Sequence, residues 1–294
     1  MKKLSVIIVT YLSEHDIYDC LETVWAYRDI PEEDLEVIIV DNSPESGPMF
    51  ENLKERYGNH LHLIRNTHNG GYGQGNNVGI KAAEAPVVLI MNPDVRLCQP
   101  IFSAAVKTFQ SDPDLSILGM KQMLDSQRPS PYSFTCTYMM NGYLHTLLSV
   151  VGNRLGLYLP RWMHFSGSCF FLNREKFEDI GLFDESIFMY GEEDDIHYRM
   201  RQRYPKMKFN RHLRYIHPFH LREPNLDYEK TIVQVAIKQN EKKGYTREKT
   251  VKNRLRNLNC LIWGARIRCL LRSRKDEQSL CFLEQRRQYL KSLI

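Results

Sequence analysis

The stretch that most constrains the fold is a short apolar run that ends in a polar tripeptide. Val87–Met91 is an uninterrupted series of five apolar residues, three of them β-branched, which is typical of a strand buried on both faces of a parallel sheet. The series stops at Asn92-Pro93-Asp94. Open α/β sheets bind ligands beyond the carboxyl ends of their strands, so this position favours a site where the Asn92 and Asp94 oxygens hold a hard cation with phosphates. The simpler alternative is a turn that ends the strand.

Strands and helices alternate around this run. The predicted strands before it are residues 4–11, 35–40 and 61–65, and the predicted helices are 13–28, 49–57 and a stretch from the glycine-rich segment 69–77 to about residue 85. Alternation at this spacing is typical of βαβ units and a parallel sheet. Later segments predict a helix at 101–110, strands at 115–120, 164–172 and 207–216, and a helical chain from residue 226. We therefore predict an α/β domain over residues 1–225 and a helical, basic extension over residues 226–294.

The composition is that of an ordinary globular protein, with 43% hydrophobic and 26% charged residues in 294. No apolar run approaches the ~20 residues of a membrane-spanning helix. The N-terminal apolar run ends at Thr10-Tyr11 without the cleavage site of a signal peptide, so we interpret it as the first strand.

The seven cysteines are scattered and include no C-x-x-C pair, which argues against a disulfide framework or a structural zinc site and favours a reducing, cytoplasmic location.

The net charge of +5 conceals an asymmetry. Residues 241–294 contain 15 Lys and Arg against 5 Asp and Glu, a balance of +10, which leaves −5 on residues 1–240. A basic tail on an acidic body indicates contact with a polyanion, either lipid headgroups or nucleic acid. Nucleic acid is disfavoured because no reading motif accompanies the basic residues and the acidic body repels the backbone. The apolar residues that favour a helix lying on an anionic membrane are Trp263, Ile262, Leu270 and Leu271. A solvated appendage or a dimer arm is the alternative.

Two further predicted strands end in polar groups. Asp41 follows the strand at 35–40, and His217 and His220 follow the strand at 207–216. Because the carboxyl ends of parallel strands line one crevice, we expect these side chains to lie near Asp94. Asp41 is equally suited to capping a helix. The two histidines allow two interpretations. Either both form hydrogen bonds within the protein at the strand end, or they supply a metal ligand and a hydrogen-bond donor to a phosphate.

The glycine-rich segment 69–77 allows three interpretations. It approaches the pattern G-x-G-x-x-G at Gly71 and Gly73, but Asn76 replaces the third glycine and the segment follows the third strand, which argues against a dinucleotide fold. Glycines that let backbone amides approach a phosphate are the second interpretation, and a flexible loop is the third.

Four consecutive acids, Glu192-Glu193-Asp194-Asp195, begin a predicted helix. Acids in the first turn complement the helix dipole, and Asp195 and Arg199 are spaced for an i, i+4 pair. That accounts for one or two of the acids. Packing the others together costs stability unless a cation, a substrate or a shared proton relieves the repulsion.

Taken together, these motifs resemble the family 2 inverting glycosyltransferases of the GT-A fold, and among them the bacterial rhamnosyltransferase-like branch. The resemblance covers roughly residues 4–220. The matching motifs are, in order, Val6–Tyr11, Val40-Asp41-Asn42-Ser43, Asn69-Gly70-Gly71-Tyr72-Gly73 with Asn76-Asn77, Asn92-Pro93-Asp94 at the D-x-D position, Gly181-Leu182-Phe183-Asp184-Glu185 and Tyr190–Asp195. Each motif is weak alone, and their order and spacing make the set specific. The resemblance implies a Rossmann-like nucleotide-diphospho-sugar transferase fold, with a mixed, mostly parallel sheet flanked by helices.

The resemblance also implies an activity, a metal and a set of roles. The enzyme would move a sugar, with rhamnose as one candidate, from a dTDP-, UDP- or GDP-linked donor to a hydroxyl of a glycan or lipid-linked acceptor in surface polysaccharide (O-antigen or capsule) synthesis. Asp94 and His217 would bind Mg²⁺ or Mn²⁺, and Glu193 would be the general base, with Asp195 and Glu192 as alternatives. The residues implied to bind the nucleotide sugar are Thr10, Tyr11, Asp41, Asn42, Gly70, Gly71, Asn77, Asn92 and Asp94. A basic tail on the inner face of the cytoplasmic membrane would bring the enzyme to a lipid-linked acceptor.

The sequence departs from the family pattern at three places. Glu193 replaces the usual aspartate, Asn92 replaces the first acid of D-x-D, and residues 125–160, where an acceptor would bind, match no motif. These departures favour a second hypothesis, a catalytically silent GT-A-like module that binds a nucleotide sugar or a partner protein.

Overall fold

The computed structural model describes residues 1–45, 47–136, 142–218, 225–271 and 275–294. The chain divides into two compact units. The first comprises residues 1–134 and 156–219, and the second comprises residues 135–155 and 220–294.

The described part of the first unit is built on an eight-stranded sheet with the order β3-β2-β1-β4-β9-β6-β10-β5. The strands are β1 (Leu4–Thr10), β2 (Leu35–Asp41), β3 (Leu61–Arg65), β4 (Val87–Met91), β5 (Arg96–Leu97), β6 (Ile117–Met123), β9 (Cys169–Asn173) and β10 (Met207–Ile216), with the short β7 (Phe134–Cys136) and β8 (Met163–Phe165) outside this sheet. Strands β1 to β4 pair in parallel, and β10 is parallel to β6. Strand β9 runs antiparallel to both β4 and β6, and β5 is antiparallel to β10. The predicted mixed, mostly parallel α/β sheet is confirmed.

The central strands are buried on both faces, as their uninterrupted apolar runs predicted. On one face, Leu4, Val6 and Ile8 belong to a core shared with helices α1 (Glu14–Ala26) and α4 (Phe102–Ser111). On the other face, Ile7 lies so close to Gly79 of α3 (Tyr72–Ala82) that a Cβ there would clash. Each fully buried aliphatic side chain stabilises the fold by about 1.5–3 kcal/mol. The sheet is therefore a firm base for the loops at its edge.

Most predicted elements of this unit are confirmed, among them β1 to β4, β10 and helix α2 (Met49–Tyr57). Two predicted boundaries are wrong. The glycine-rich segment is a loop only up to Gly71, because α3 begins at Tyr72. The predicted strand 164–172 is interrupted at residues 166–168, between β8 and β9. The remaining helices of the unit are α6 (Arg174–Asp179) and α7 (Glu192–Arg203).

The second unit is mainly helical in its described residues, and the helical chain predicted from residue 226 is confirmed. Its helices are α5 (Gly142–Leu155), α8 (Leu226–Lys242), α9 (Arg247–Leu271) and α10 (Lys275–Lys291). The core that α8, α9 and α10 share consists of Val233, Ile237, Val251, Leu258, Ile262, Ala265, Leu283 and Leu290. Helix α5 belongs to the same unit as the C-terminal helices. The predicted boundary at residue 225 assigns this helix to the α/β domain, and that boundary stays a prediction. None of the helices that the structure describes combines the length and apolarity needed to cross a bilayer.

Candidate functional site

The carboxyl end of β2 presents a buried acid. Asp41 is fully buried, and its Oδ1 accepts hydrogen bonds from Thr10 Oγ1 (2.9 Å), Ser43 Oγ (2.7 Å) and the Ser43 N–H (3.2 Å). Its Oδ2 has no hydrogen-bond partner among the described residues. Asp41 does not cap α2, whose N-cap is Pro48. A buried carboxylate oxygen without a donor is costly, so this atom suits a ligand that brings an N–H or O–H group.

Asn42 and Tyr11, both predicted to bind the nucleotide, differ in their surroundings. The Asn42 side chain is buried, donates to the Gly71 carbonyl (3.1 Å) and accepts from Asn66 Nδ2 (2.7 Å). Asn42 therefore ties the glycine-rich loop to the end of β2. Tyr11 directly follows the neighbouring strand β1 and is 51% exposed.

The amides of Gly70 and Gly71 form hydrogen bonds within the protein. The Gly70 N–H donates to a carbonyl within the loop (2.9 Å), and the Gly71 N–H donates to Asn69 Oδ1 (3.0 Å). Gly71 has a φ of +94° and packs so closely on the Phe188 carbonyl that a Cβ would clash. Both N–H groups are thus used within the protein, and a glycine is required at position 71 by the close approach of the Phe188 carbonyl; a contact of these amides with the nucleotide stays a prediction.

Asn77 also acts within the protein. Its Nδ2 donates to the Phe183 carbonyl (3.0 Å) and to Glu185 Oε1 (2.9 Å), and its Oδ1 accepts from the Phe183 N–H (2.9 Å). Both ends of the amide are thus used within the protein, where Asn77 positions the segment 183–185; its contact with the nucleotide stays a prediction.

The ends of β4 and β10 bring a carboxylate and an imidazole together. After β4 the chain enters β5, which pairs with β10, so Asp94 is carried to the end of β10. Asp94 Oδ2 lies 3.1 Å from His217 Nε2. Nearby in sequence, Asn92 Oδ1 is buried and has no hydrogen-bond partner among the described residues. His220, the second predicted histidine, lies outside the described residues.

The donors at this edge fit a divalent cation shared with a ligand. A carboxylate and an imidazole suit Mn²⁺, and carboxylate and amide oxygens suit Mg²⁺. Within the described residues, no group of three or more His, Cys, Asp or Glu side chains forms a closed metal site. An ion at Asp94 and His217 would need further ligands, and the oxygens of water and phosphate suit both metals.

Helix α7 places the acidic cluster, and its start is conformationally unusual. Tyr190 and Gly191, the two residues before the helix, have φ values of +72° and +97°. A tyrosine in the left-handed region is strained, and such strain persists only where the surrounding structure enforces it. The helix then begins with Glu192 and Glu193 in its first turn.

Glu193 points to the break between β8 and β9. Its carboxylate lies directly against the Cα of Gly167, where a Cβ would clash with it. Burial raises the pKa of Glu193 above its ordinary value, although backbone N–H groups, including that of Gly167, oppose the rise. Burial and then the Glu193 charge raise the pKa of Glu192 well above its usual range. Glu192 is 4% exposed, and its Oε2 has no partner among the described residues.

Asp195, the other predicted alternative for the base, is occupied. Its Oδ2 lies 2.8 Å from Arg199 Nε and 2.6 Å from Nη2, which confirms the predicted i, i+4 pair. The same guanidinium donates to the Ile180 carbonyl at 2.7 Å. Arg199, oriented by Asp195, therefore ties α7 to the residue that follows α6.

His197 is a residue of the site that the sequence reasoning missed. It is fully buried, its Nε2 accepts from the Phe165 N–H (3.2 Å), and its Nδ1 lies 2.7 Å from the Glu193 carbonyl. Burial, followed by the charges of His164 and Arg201, holds the pKa of His197 well below its usual range. This neutral histidine joins the first turn of α7 to β8 and so holds Glu193 in place. The signal in the sequence was its i+4 spacing from Glu193.

Residues 166–168 bring the parts of the site together. The Tyr72 hydroxyl donates to the Gly167 carbonyl (2.6 Å), and the Asn92 N–H donates to the Ser168 carbonyl (2.8 Å). The start of α3, the end of β4 and the Glu193 carboxylate thus meet at one short segment. Asp41 borders this edge through Asn42 and the glycine-rich loop.

Comparison with known proteins gives a family and a relative. Residues 5–181, more than half of the chain, match the family described as glycosyl transferase family 2. The low-salt glycan biosynthesis hexosyltransferase Agl10 of Haloferax volcanii is 30% identical over 207 residues, which cover 68% of this chain and 62% of that protein. The chain thus spans less than two thirds of the length of this relative.

Two solved structures are similar to the chain. TarS 1-349 of S. aureus in complex with UDP-GlcNAc has a TM-score of 0.55 at 20% identity, covering 87% of this chain and 72% of that chain. The mannosyltransferase PcManGT of Pyrobaculum calidifontis in complex with GDP-Man and Mn²⁺ has a TM-score of 0.57 at 14% identity, covering 99% and 73%. At these identities the likeness concerns the fold, and it confirms the predicted GT-A class.

Proposed function

Because the chain belongs to glycosyl transferase family 2, we propose that it is an inverting glycosyltransferase. It moves a sugar from a nucleotide-diphosphate donor to a hydroxyl group of a glycan or a lipid-linked acceptor. The observation that carries the proposal is a series of linked contacts at one edge of the sheet: Asp94 pairs with His217, the nearby Asn92 N–H bonds to Ser168, and Glu193 packs against the adjacent Gly167. Parallel sheets bind ligands at this edge.

The nucleotide end of the donor binds beside β2 in this proposal. Asp41 Oδ2, fully buried and without a partner in the described part of the chain, accepts a hydrogen bond from a nucleobase N–H or a ribose hydroxyl. Tyr11, half exposed at the next strand end, packs on the base or the ribose. Thr10 and Ser43 keep the other Asp41 oxygen in place.

The diphosphate end lies at Asp94, with Asn92 beside it. Asp94 and His217 hold Mg²⁺ or Mn²⁺, and the ion, when bound, supplies the positive charge that stabilises the diphosphate leaving group. The Mn²⁺ in the PcManGT structure supports the choice of metal. Asn92 in place of an acid leaves the metal site with one negative charge fewer.

Glu193 is the general base in this proposal. It takes the proton of the acceptor hydroxyl while that oxygen attacks the anomeric carbon from the side opposite the diphosphate, which inverts the configuration. Its raised pKa makes it a stronger base than an ordinary glutamate. The two alternatives are less suited, since Asp195 is paired with Arg199 and Glu192 is almost wholly buried.

The donor and the acceptor are proposed only as classes. The hexosyltransferase Agl10, the UDP-GlcNAc complex and the GDP-Man complex support a hexose or its derivative. The resemblance suggested dTDP-rhamnose as a donor, and the turnover experiment includes it together with the other two nucleotide sugars. A surface polysaccharide such as O-antigen or capsule stays the proposed product.

A contact of α9 with an anionic membrane belongs to the same proposal. Trp263, Ile267 and Leu270 follow the i, i+4, i+7 spacing of one helix face and are 67%, 38% and 86% exposed, with Arg266 and Arg268 between them. The prediction that Ile262 lies on this exposed face is wrong, because its side chain is buried in the core of the second unit. The side chain of Leu271 lies outside what the structure describes.

Calorimetric titration of UDP, GDP and dTDP with and without Mn²⁺ tests the donor site. We expect one nucleotide to bind, to bind more tightly with Mn²⁺, and to lose about 10-fold or more in affinity in Asp41→Asn, because a hydrogen bond to a charged group is removed. The matched control is Asp114→Asn, an 85% exposed acid. Failure of all three nucleotides to bind under both conditions would overturn the proposal.

Turnover separates the enzyme from the silent binding module. UDP-GlcNAc, GDP-mannose and dTDP-rhamnose are supplied with a glycan acceptor, and release of the nucleotide diphosphate is measured. Tight nucleotide binding without turnover of any donor would favour the module.

Flotation with phosphatidylserine-containing liposomes tests the membrane contact. Trp263→Ala is expected to reduce the floated fraction, whereas Trp162→Ala, which removes a 44% exposed tryptophan from the first unit, is not. Equal flotation of both variants and the wild type would remove the membrane contact from the proposal.

A further inference from the structure

A cavity of about 140 Å³ lies among the C-terminal helices of the second unit. Side chains of three helices line it, among them Glu229 of α8, Arg254, Leu258 and Leu261 of α9, and Arg286 and Tyr289 of α10. The three residues of α9 are spaced i, i+4 and i+7, so they share one face of that helix. A single water molecule needs about 10–15 Å³ of such space, so the cavity has room for a small ligand.

Most polar side chains of this cavity are hydrogen-bond donors. Arg254 is only 7% exposed, and its guanidinium stays charged in proteins. Arg286 Nη2 lies 2.7 Å from Glu229 Oε2, and both side chains are largely buried. The Tyr289 hydroxyl accepts from Gln234 Nε2 at 2.7 Å, which leaves its own O–H able to donate. The cavity therefore offers donors from two helices, α9 and α10.

The charges around the cavity do not balance. The described residues that line it include two guanidinium groups, those of Arg254 and Arg286, and one carboxylate, that of Glu229. Whichever guanidinium the carboxylate contacts, one positive charge remains in excess. Burying a charge is costly unless an opposite charge accompanies it. Apolar walls formed by Val233 and Leu258 strengthen the attraction for an anion, because charges interact more strongly there than in water.

The arrangement of the donors favours a phosphate group over a carboxylate. A guanidinium is a planar fork that pairs with two oxygens of a phosphate or a carboxylate. Here the forks of Arg254 and Arg286 and the Tyr289 hydroxyl come from different helices. A tetrahedral phosphate presents oxygens in several directions and can meet all three donors, whereas a carboxylate has two oxygens. We propose that this cavity binds the phosphate group of inorganic phosphate or of a small phosphorylated compound.

The phosphate comes from solution and not from a bilayer in this proposal. Trp263 follows Arg254 by nine residues, which is about two and a half turns of a helix, so the two side chains lie on opposite faces of α9. The cavity therefore lies away from the face proposed to contact a membrane. Leu261, 41% exposed, forms part of its rim and leaves it open to a solute. The site is also separate from the donor site, whose phosphates are proposed to lie beyond β4.

Calorimetric titration of the full chain with inorganic phosphate and with glycerol 3-phosphate tests the inference, at constant ionic strength and without nucleotide or divalent ion. We expect both to bind, and the melting temperature to rise with their concentration. Arg254→Gln and Arg286→Gln should each weaken binding about 10-fold or more, because hydrogen bonds to a charged group are removed. The matched control is Arg256→Gln, an exposed arginine of the same helix outside the cavity, which should bind as the wild type does.

Glu229→Gln should have the opposite effect. It removes the negative charge of the cavity with little change in size, and phosphate should then bind about 10-fold more tightly, because repulsion between like charges is lost. A purely structural role for these residues predicts weaker binding or none in all three cavity variants. Should Arg254→Gln not fold, the opposite shifts in Arg286→Gln and Glu229→Gln decide the question, and shifts in the same direction overturn the inference.

Three further results would overturn it. The first is the absence of binding to either phosphate compound, and the second is equal affinity in Arg254→Gln, Arg256→Gln and the wild type, which would mean nonspecific attraction to a basic surface. The third is binding to phosphatidylglycerol vesicles without binding to either soluble compound, which would assign the cavity to a lipid headgroup. Because neither nucleotide nor metal is present, failure of the proposed donor site would leave this result unchanged.

Discussion

The carboxylate of Glu193 occupies the space that a side chain at Gly167 would need. The Tyr72 hydroxyl, at 2.6 Å from the Gly167 carbonyl, fixes the same residue from the start of α3. A glycine is therefore needed at position 167, because a side chain there would fill the space in which the Glu193 carboxylate lies at the edge of the sheet.

Gly167→Ala should displace the Glu193 carboxylate. A methyl group at this position meets Glu193 Oε1, so the acid must move away from the break between β8 and β9. A displacement of about 1 Å at a reacting group can cost about 10²-fold in rate, and we expect kcat to fall by that order. Steady-state kinetics check this, with nucleotide affinity as the control that should stay near the wild-type value. Full activity in Gly167→Ala would contradict the contact.

Glu193→Gln should remove the general base without changing the size of the side chain. We expect kcat to fall about 10²–10⁴-fold while the nucleotide still binds. The control is Glu51→Gln, which alters an exposed glutamate of α2 and should leave kcat unchanged. Unchanged kcat in Glu193→Gln would transfer the role of the base to another acid, with Glu192 first in line.

Glu192 should make the folded chain less stable as the pH rises. Burial raises its pKa in the folded chain above the ordinary value of 4.5, so between that pH and the folded pKa the folded state holds more protons than the unfolded state. The free energy of unfolding therefore falls as the pH rises through this window. Thermal melts should show Glu192→Gln melting above the wild type at pH 8, with a smaller gap near pH 4. A gap independent of pH would contradict this assignment.

Asp195→Asn should affect stability more than chemistry. The variant weakens a charged pair with Arg199, in which two guanidinium nitrogens lie within 2.8 Å of one oxygen. We expect a loss of about 1.5–3 kcal/mol in the free energy of unfolding, the range for hydrogen bonds to charged groups, with kcat largely kept. Denaturant titration measures the first and steady-state kinetics the second. A kcat as low as that of Glu193→Gln in a fully stable variant would mean that Asp195 takes part in the reaction.

Much of the fold and part of the site followed from local patterns. Apolar runs that stop at Asp41 and at Asn92-Pro93-Asp94 indicated buried parallel strands with polar ends, and the structure has both. The Asp94–His217 contact needed the topology as well, because β5 turns back to pair with β10. The pairing of the two-residue strand β5 with β10 thus brings Asp94 close to His217.

The remaining site residues depend on contacts between distant segments. The contacts of Gly71 within the protein are one example, because the sequence does not show that Phe188 packs on it. Asn77 is another, since its partners Phe183 and Glu185 lie more than 100 residues further along the chain. The nucleotide contacts that the resemblance implies for both residues stay predictions. For Ile262, the arginines in the neighbouring sequence suggested an exposed face, whereas the helices of the second unit bury it.

The bonds between Asn77 and Phe183 also bear on how the protein folds. They join residues 106 positions apart, so the chain loses much entropy before they can form. Contacts of such long sequence separation slow folding. During refolding, the helical signal should therefore return before the capacity to bind a nucleotide. A chain whose synthesis stops before Phe183 would lack these bonds and, with them, a complete binding site.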